Sequence, residues 1–190
     1  MAGFLKPLLQ AGFRVMAIDA PGHGETPGER TSIFECARVA QAVVREYGPV
    51  HAAITHSFGG MVLAYAMNHG VSVGRVVCIS APARVEYLLE RFASILNMPD
   101  GVVAELRRRL DRRLDDTTGG DISTDANARA LAAPALIVHD VDDEGVPWQQ
   151  GQLIAAAWPG ARFLKTQGLG HGRILRDAGV IRQVVDFIGA

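Results

Sequence analysis

The stretch His56-Ser57-Phe58-Gly59-Gly60 decides how the rest of the chain is read. It follows the apolar run Val50-His51-Ala52-Ala53-Ile54-Thr55 and precedes the helix-forming run Met61-Val62-Leu63-Ala64-Tyr65-Ala66-Met67, so it reads as strand, sharp turn, helix. A serine in such a turn points outward. Gly59 and Gly60 are the small residues expected where strand and helix approach closely. The helix beginning just after Ser57 aims its free N–H groups and its positive dipole end at the point where an oxyanion would form. A serine in a strand-to-helix turn can simply cap a helix, but the flanking His56 and the paired glycines favour a nucleophile. Serine is a poor nucleophile until a base removes its proton, so the elbow needs partners elsewhere.

Outward from the elbow, strand-like and helix-like patterns alternate. Residues 3–11 have apolar residues at the helical spacing Phe4, Leu5, Leu8 and Leu9 and stop at Gly12. Arg14-Val15-Met16-Ala17-Ile18-Asp19 reads as a buried strand, closed by the turn cluster Pro21-Gly22-His23-Gly24. Residues 31–47 return to helical spacing, with Thr31 or Ser32 as cap and Gly48-Pro49 as the stop. Further strands are expected at 75–80, 135–139 and 161–166, and further helices at 148–158 and 174–188. Strands this continuously apolar, alternating with helices, predict an α/β fold: a mostly parallel sheet with helices on both faces. In such sheets ligands sit beyond the carboxyl ends of the strands, near Asp19, Ser57, Ala81, Asp140 and Thr166.

Residues 81–133 break the rhythm. Val103, Leu106, Leu110 and Leu114 form an apolar stripe beside Arg107, Arg108, Arg109, Arg112 and Arg113, and Asp115 through Gly120 read as a polar break. The segment is expected to be a small helical lid inserted into one domain spanning 1–190. Its arginines, balanced by Glu105, Asp111, Asp115 and Asp116, read as a solvated face in preference to a site for an anionic substrate or a partner.

Composition bounds the function. With 190 residues, 48% of them hydrophobic, the chain can bury one substantial core. A formal charge of -1 gives no field favouring nucleic acid or an anionic membrane surface. Self-association is left open. Cys36 and Cys78 read as reduced, buried thiols rather than a disulfide framework. No run is long enough to span a membrane and the first residues lack the pattern of a secretory signal, so the expected location is cytoplasmic.

His171, in the loop Gly168-Leu169-Gly170-His171-Gly172 after the last strand, is the expected base. His23 sits in a glycine-rich turn, where a structural role and a substrate contact are equally plausible. His51, His69 and His139 fall in strand or helix patterns and read as core or surface residues. The orienting carboxylate is expected from the run His139-Asp140-Val141-Asp142-Asp143-Glu144-Gly145-Val146-Pro147. This run lacks the alternating, glycine-centred spacing of a calcium loop, so no metal or other cofactor is expected. Its residue types alone do not choose among Asp140, Asp142, Asp143 and Glu144.

Asp19-Ala20-Pro21-Gly22-His23-Gly24, the elbow, the acidic turn ending in Val146-Pro147, and Gly168-Leu169-Gly170-His171 together resemble the successive signatures of the α/β-hydrolase superfamily, in its chain order of serine, acid and histidine. The family's acidic turn commonly reads His-Gly, two residues, Asp, two residues, Val-Pro. Aligned on His139 and Val146-Pro147, the resemblance implies Asp143 as the triad acid, His171 as base and Ser57 as nucleophile. It implies a serine hydrolase acting on a small-molecule ester or related acyl substrate.

The chain departs from the family pattern in three places. Thr55 stands where the elbow usually has glycine, and Asp140 replaces the glycine after His139. Family members also carry several strands before the helix at 4–11, one followed by a His-Gly loop that supplies half of the oxyanion hole. This chain begins after it, so one donor is implied, the backbone N–H of Phe58. Loss of one such donor costs on the order of a hundred- to a thousand-fold in rate. The alternative expectation is therefore a catalytically weak or inactive hydrolase-like binding domain or fragment. The absent strand would lie between the segments at 14–19 and 50–55, where an unfilled gap would leave backbone groups unsatisfied.

Overall fold

A computed structural model describes residues 1–29, 31–118 and 121–190, the side chains of 113–118 excepted. Four parallel strands form one sheet in the order β1 (Val50–His56), β2 (Val73–Ile79), β3 (Ala135–Asp140) and β4 (Arg162–Thr166). The register pairs Thr55 with Cys78, Cys78 with Ile137 and Ile137 with Phe163, so the carboxyl ends lie along one edge.

Alternation along the strands divides the core into two layers. Val76, Cys78 and Ile137 face one side, with α2 (Ile33–Tyr47), α3 (Phe58–Asn68) and α7 (Trp148–Ala157) packed there through Ala37, Met61, Ile154 and Trp158. Val77, Ile79, Leu136 and Val138 face the other, against α1 (Leu5–Gln10) and α9 (Ala178–Gly189) through Leu8, Val180, Val184 and Phe187. Burial on both faces is why β2 and β3 read as nearly unbroken apolar runs.

Local signals set the helix ends. Ser32 caps α2: its hydroxyl accepts the Glu35 N–H at 3.2 Å and donates to Glu35 Oε2 at 2.9 Å. Gly48, at φ 85°, ends the helix. The helix expected at 174–188 starts later, as α9, where Asp177 caps it by accepting the Val180 N–H at 2.9 Å; a separate short turn, α8 (Gly170–Arg173), precedes it.

The strand expected at 14–19 does not form. Residues 13–20 belong to no ladder, and Met16 and Ile18 are 44% and 50% exposed. A strand needs a paired neighbour, and no segment among the described residues lies hydrogen-bonded between this stretch and β1. The two do not close up either: β1 pairs only with β2 and is half-exposed along most of its length. Phe13 still stacks on His51 of β1, with ring centroids 5.5 Å apart. Asp19 therefore does not end a strand. It organises the following turn, its carboxylate accepting the Glu25 N–H and its carbonyl the Thr26 hydroxyl.

Residues 81–133 carry three helices, α4 (Val85–Ile95), α5 (Asp100–Thr118) and α6 (Thr124–Ala128). Helix α5 runs through Thr118, so the polar residues 115–118 do not break it; Gly119 and Gly120, and the side chains of Arg113, Leu114, Asp115 and Asp116, lie outside the described residues. Leu110 packs on the core while Arg108, Arg109 and Arg112 gather around Glu105 at 2.6 to 3.8 Å on the solvent side. Cys78 is buried, and burial pushes its thiol up to about 11; Cys36, expected to be buried, is half-buried beside Thr31.

Candidate active site

Ser57 stands between β1 and α3 with φ 53° and ψ −128°. A side chain in that backbone region costs on the order of 1–3 kcal/mol, held here by surrounding contacts. Ser57 N–H donates to Ile79 O at 2.9 Å, and Ser57 O accepts the Gly60 N–H at 3.0 Å. Gly60 is essential to the turn, because a Cβ on it would lie 2.6 Å from Ala81 Cβ. Gly59 is not, contrary to its expected role: a Cβ there would meet only Thr55 Cβ at 3.6 Å. Thr55 fits in place of the usual glycine because its hydroxyl turns to β2 and donates to Val77 O at 3.1 Å. Phe58, the first residue of α3, contributes one of the first-turn N–H groups that a helix leaves without an intrahelical acceptor.

Of the four acids at and just after the end of β3, Asp143 is the one that meets His171. His171 Nδ1 lies 2.8 Å from Asp143 Oδ2 and 3.1 Å from Oδ1. Asp143 Oδ1 also accepts the N–H groups of Gly145 at 2.9 Å and Val146 at 2.8 Å. Burial works to raise the Asp143 pKa, but hydrogen bonds from His139, Val146 and His171 outweigh it and hold the carboxyl far below the usual range. The acid is thus an anion with its proton-accepting edge on the imidazole. With Nδ1 engaged, the other ring nitrogen of His171, Nε2, is left for a proton from elsewhere.

The remaining acids meet other groups. Asp140, fully buried, accepts the Thr166 hydroxyl at 2.7 Å and the N–H groups of Gly170 at 2.9 Å and Asp142 at 3.0 Å. Asp142 accepts the Gly168 N–H at 2.8 Å. Both therefore tie the acidic turn to the loop that carries His171. Glu144 offers its carbonyl to Arg91 at 3.3 Å.

Two further histidines belong to this neighbourhood: His139, read only as a core or surface residue, and His56, read only as a flank of the elbow. His139 is fully buried; its Nε2 donates to Val146 O at 2.8 Å and lies 3.5 Å from Asp143 Oδ2. A histidine inside an apolar strand carries no local sign of such a contact, although its spacing of four from Asp143 is readable. His56 donates from Nε2 to the His171 carbonyl at 2.9 Å, and the two rings are 4.6 Å apart. His23, by contrast, turns its Nδ1 to Pro21 O at 3.1 Å, a contact internal to its own turn. His51 reaches Ile188 O and His69 reaches Tyr65 O, both as surface-side packing.

Helix α4 reaches this edge of the sheet. Tyr87 donates its hydroxyl to Gly145 O at 2.7 Å, and Gln150 of α7 accepts the Ala83 N–H at 2.9 Å. No group of three or more histidine, cysteine or acidic side chains suited to a metal occurs among the described residues. No helix among them is long and apolar enough to cross a membrane.

Comparison with known proteins identifies the family of the chain. A model of the alpha/beta hydrolase family matches residues 1–183. A protein provisionally named carbamate hydrolase RutD, from Variovorax paradoxus (strain S110), is 26% identical over 231 residues, 98% of this chain and 87% of that protein. One of the same provisional name from Pseudomonas savastanoi pv. phaseolicola (strain 1448A / Race 6) is 34% identical over 67 residues, 35% of this chain and 26% of its own length. A 2-hydroxy-6-oxononadienedioate/2-hydroxy-6-oxononatrienedioate hydrolase of Cupriavidus pinatubonensis (strain JMP 134 / LMG 1197) is 28% identical over 233 residues, covering 97% of this chain and 79% of that protein. Among solved structures, the esterase EaEST from Exiguobacterium antarcticum superimposes with a TM-score of 0.75 at 14% identity, over 100% of this chain and 86% of that one.

Proposed function

The chain belongs to the alpha/beta hydrolase family, and from that premise we propose that it is a serine hydrolase acting on an ester or related acyl substrate through Ser57, His171 and Asp143. The observation that carries this reading is the 2.8 Å contact of His171 Nδ1 with Asp143 Oδ2, beyond the strand that ends in a strained serine. Asp143 holds the imidazole with its proton on Nδ1 and stabilises the imidazolium once it forms.

His171 Nε2 takes the Ser57 hydroxyl proton as Oγ bonds to the substrate carbonyl carbon, whose π electrons move to oxygen. The Phe58 N–H and the dipole of α3 stabilise that oxyanion. Its collapse breaks the bond to the leaving group, which receives the proton from Nε2. Water then attacks the acyl-enzyme by the same route and frees Ser57. No cofactor enters these steps. The names of the relatives extend the substrate range worth testing to carbamates and 2-hydroxy-6-oxo dioates, whose carbonyls the same constellation would attack.

A non-catalytic, ligand-binding relative is the second reading, favoured by the open edge of the sheet: residues 13–20 pair with no strand among the described residues, and β1 is left half-exposed. Treating the purified protein with a fluorophosphonate separates the two. The hydrolase reading expects a covalent adduct on the wild type and none on Ser57→Ala. A folded wild type that forms no adduct supports the binding domain.

A further inference from the structure

His171 sits in α8, a single turn of four residues between glycines, and such a short element does not fix a ring by its own hydrogen bonds. Its position depends on what grips the loop. Asp142 holds the start of the loop at Gly168, and two further side chains, from the two strands that lead to the other members of the proposed triad, hold it at residues 170 and 171.

From the acid's strand, Asp140 accepts the Gly170 N–H, one residue before His171, at 2.9 Å. From the nucleophile's strand, His56 donates to the carbonyl of His171 itself at 2.9 Å. Asp140 is a fully buried carboxylate at the end of a core strand, an expensive placement unless every lone pair is used. Its other partners, the Thr166 hydroxyl and the Asp142 N–H, fix the carboxylate's orientation toward Gly170. His56 is the immediate neighbour of Ser57, and its ring lies 4.6 Å from that of His171 at an interplanar angle of 47°. A carbonyl can only accept, so Nε2 of His56 carries the proton. Burial keeps His56 below its ordinary pKa, consistent with a neutral ring that donates from one nitrogen.

We propose that His56 and Asp140 are positioning residues that strap the His171 loop between the nucleophile's strand and the acid's strand, setting the imidazole against Asp143 and Ser57. The proposal rests on the triad reading for its consequence in catalysis, but not for the geometry it concerns. Misplacing a reacting group by about an ångström costs up to on the order of a hundred-fold in rate. Asp140 occupies the position where the family commonly has glycine, so its half of the strap departs from the family's usual pattern.

The test pairs a disrupting with a conserving substitution at each residue. His56→Leu and Asp140→Ala remove the contacts; His56→Gln keeps an N–H donor near the Nε2 position, and Asp140→Asn keeps an acceptor for the Gly170 N–H. Each protein is read in two ways, by its second-order rate of fluorophosphonate labelling and by the far-downfield proton resonance of His171 Nδ1–H on Asp143, identified by its loss in His171→Gln. The strap predicts labelling slowed by on the order of ten- to a hundred-fold in both disrupting variants, with the resonance lost or broadened. Both conserving variants should recover the resonance and most of the rate. A disrupting variant that labels at the wild-type rate with the resonance intact overturns the proposal. So does slowing that the conserving variants fail to rescue, since that marks a general structural defect. If the wild type is not labelled at all, the hydrolase reading falls alone, and the resonance still decides the strap.

Discussion

Gly145 leaves open the space that His171 and Asp143 occupy together: a Cβ on Gly145 would stand 3.1 Å from His171 Cγ and 3.3 Å from Asp143 Oδ1. The glycine is therefore part of the geometry of the pair, although it bears no reacting group. Gly145→Ala should push the imidazole by a few tenths of an ångström and slow fluorophosphonate labelling by roughly tenfold or more. Thermal unfolding should change little, since the surrounding turn stays hydrogen-bonded to Asp143. Unchanged labelling would show that the ring has room to spare.

The two glycines of the elbow should behave differently. Gly60→Ala forces a Cβ to within 2.6 Å of Ala81 Cβ, an overpacking expected to cost about 1–3 kcal/mol in urea unfolding and to disturb Ser57. Gly59→Ala meets only Thr55 Cβ at 3.6 Å and gains helix propensity of up to about 1 kcal/mol, so its stability should be equal to wild type or higher. Equal losses at both positions would contradict the packing described for the turn.

The strand-to-helix turn at Ser57 and the contact between the His171 loop and the acidic turn were legible because they depend on local chemistry: a small residue at a close approach, a histidine in a glycine loop, a carboxylate after a strand. The choice of Asp143 among four acids was not readable from residue types, and came from the resemblance on Val146-Pro147. Its neighbours Asp140 and Asp142 differ from it in their partners, which are backbone N–H groups and the Thr166 hydroxyl and not the His171 imidazole. The segment at 14–19 shows the opposite failure. Its apolar run has the form of a buried strand, but a strand is defined by its partner, and none pairs with it among the described residues. Similarly, β2 begins at Val73, before the apolar run, because Gly74 lets the His51 carbonyl approach to where a Cβ would be 2.6 Å away.

That difference has a thermodynamic signature. Ile18 is half-exposed, so Ile18→Ser should shift unfolding stability by no more than about 0.5 kcal/mol. Ile79, fully buried at the end of β2, should lose about 2–5 kcal/mol on replacement by alanine. A loss of several kcal/mol at Ile18 would mean that the segment is buried in solution, as its sequence pattern suggests.

Acid should weaken the fold through the acidic turn. Asp143 and Asp140 both have folded-state pKa values held below their ordinary ones, so each contributes stability that is present above about pH 4, the unfolded value, and is lost as pH falls toward the folded value. The urea midpoint should fall between about pH 5 and pH 2, and less steeply in Asp143→Asn. An identical slope in that variant would show that Asp143 is not held as an anion in the folded protein.

The central claim, that Ser57 is activated by His171 under the direction of Asp143, is tested most directly by locating the phosphonyl adduct by peptide mass spectrometry in wild type, His171→Gln and Asp143→Asn. The account predicts an adduct confined to Ser57 in the wild type, absent in His171→Gln and formed at least about a hundred-fold more slowly in Asp143→Asn. An adduct on Ser57 that forms as fast without the imidazole would contradict it.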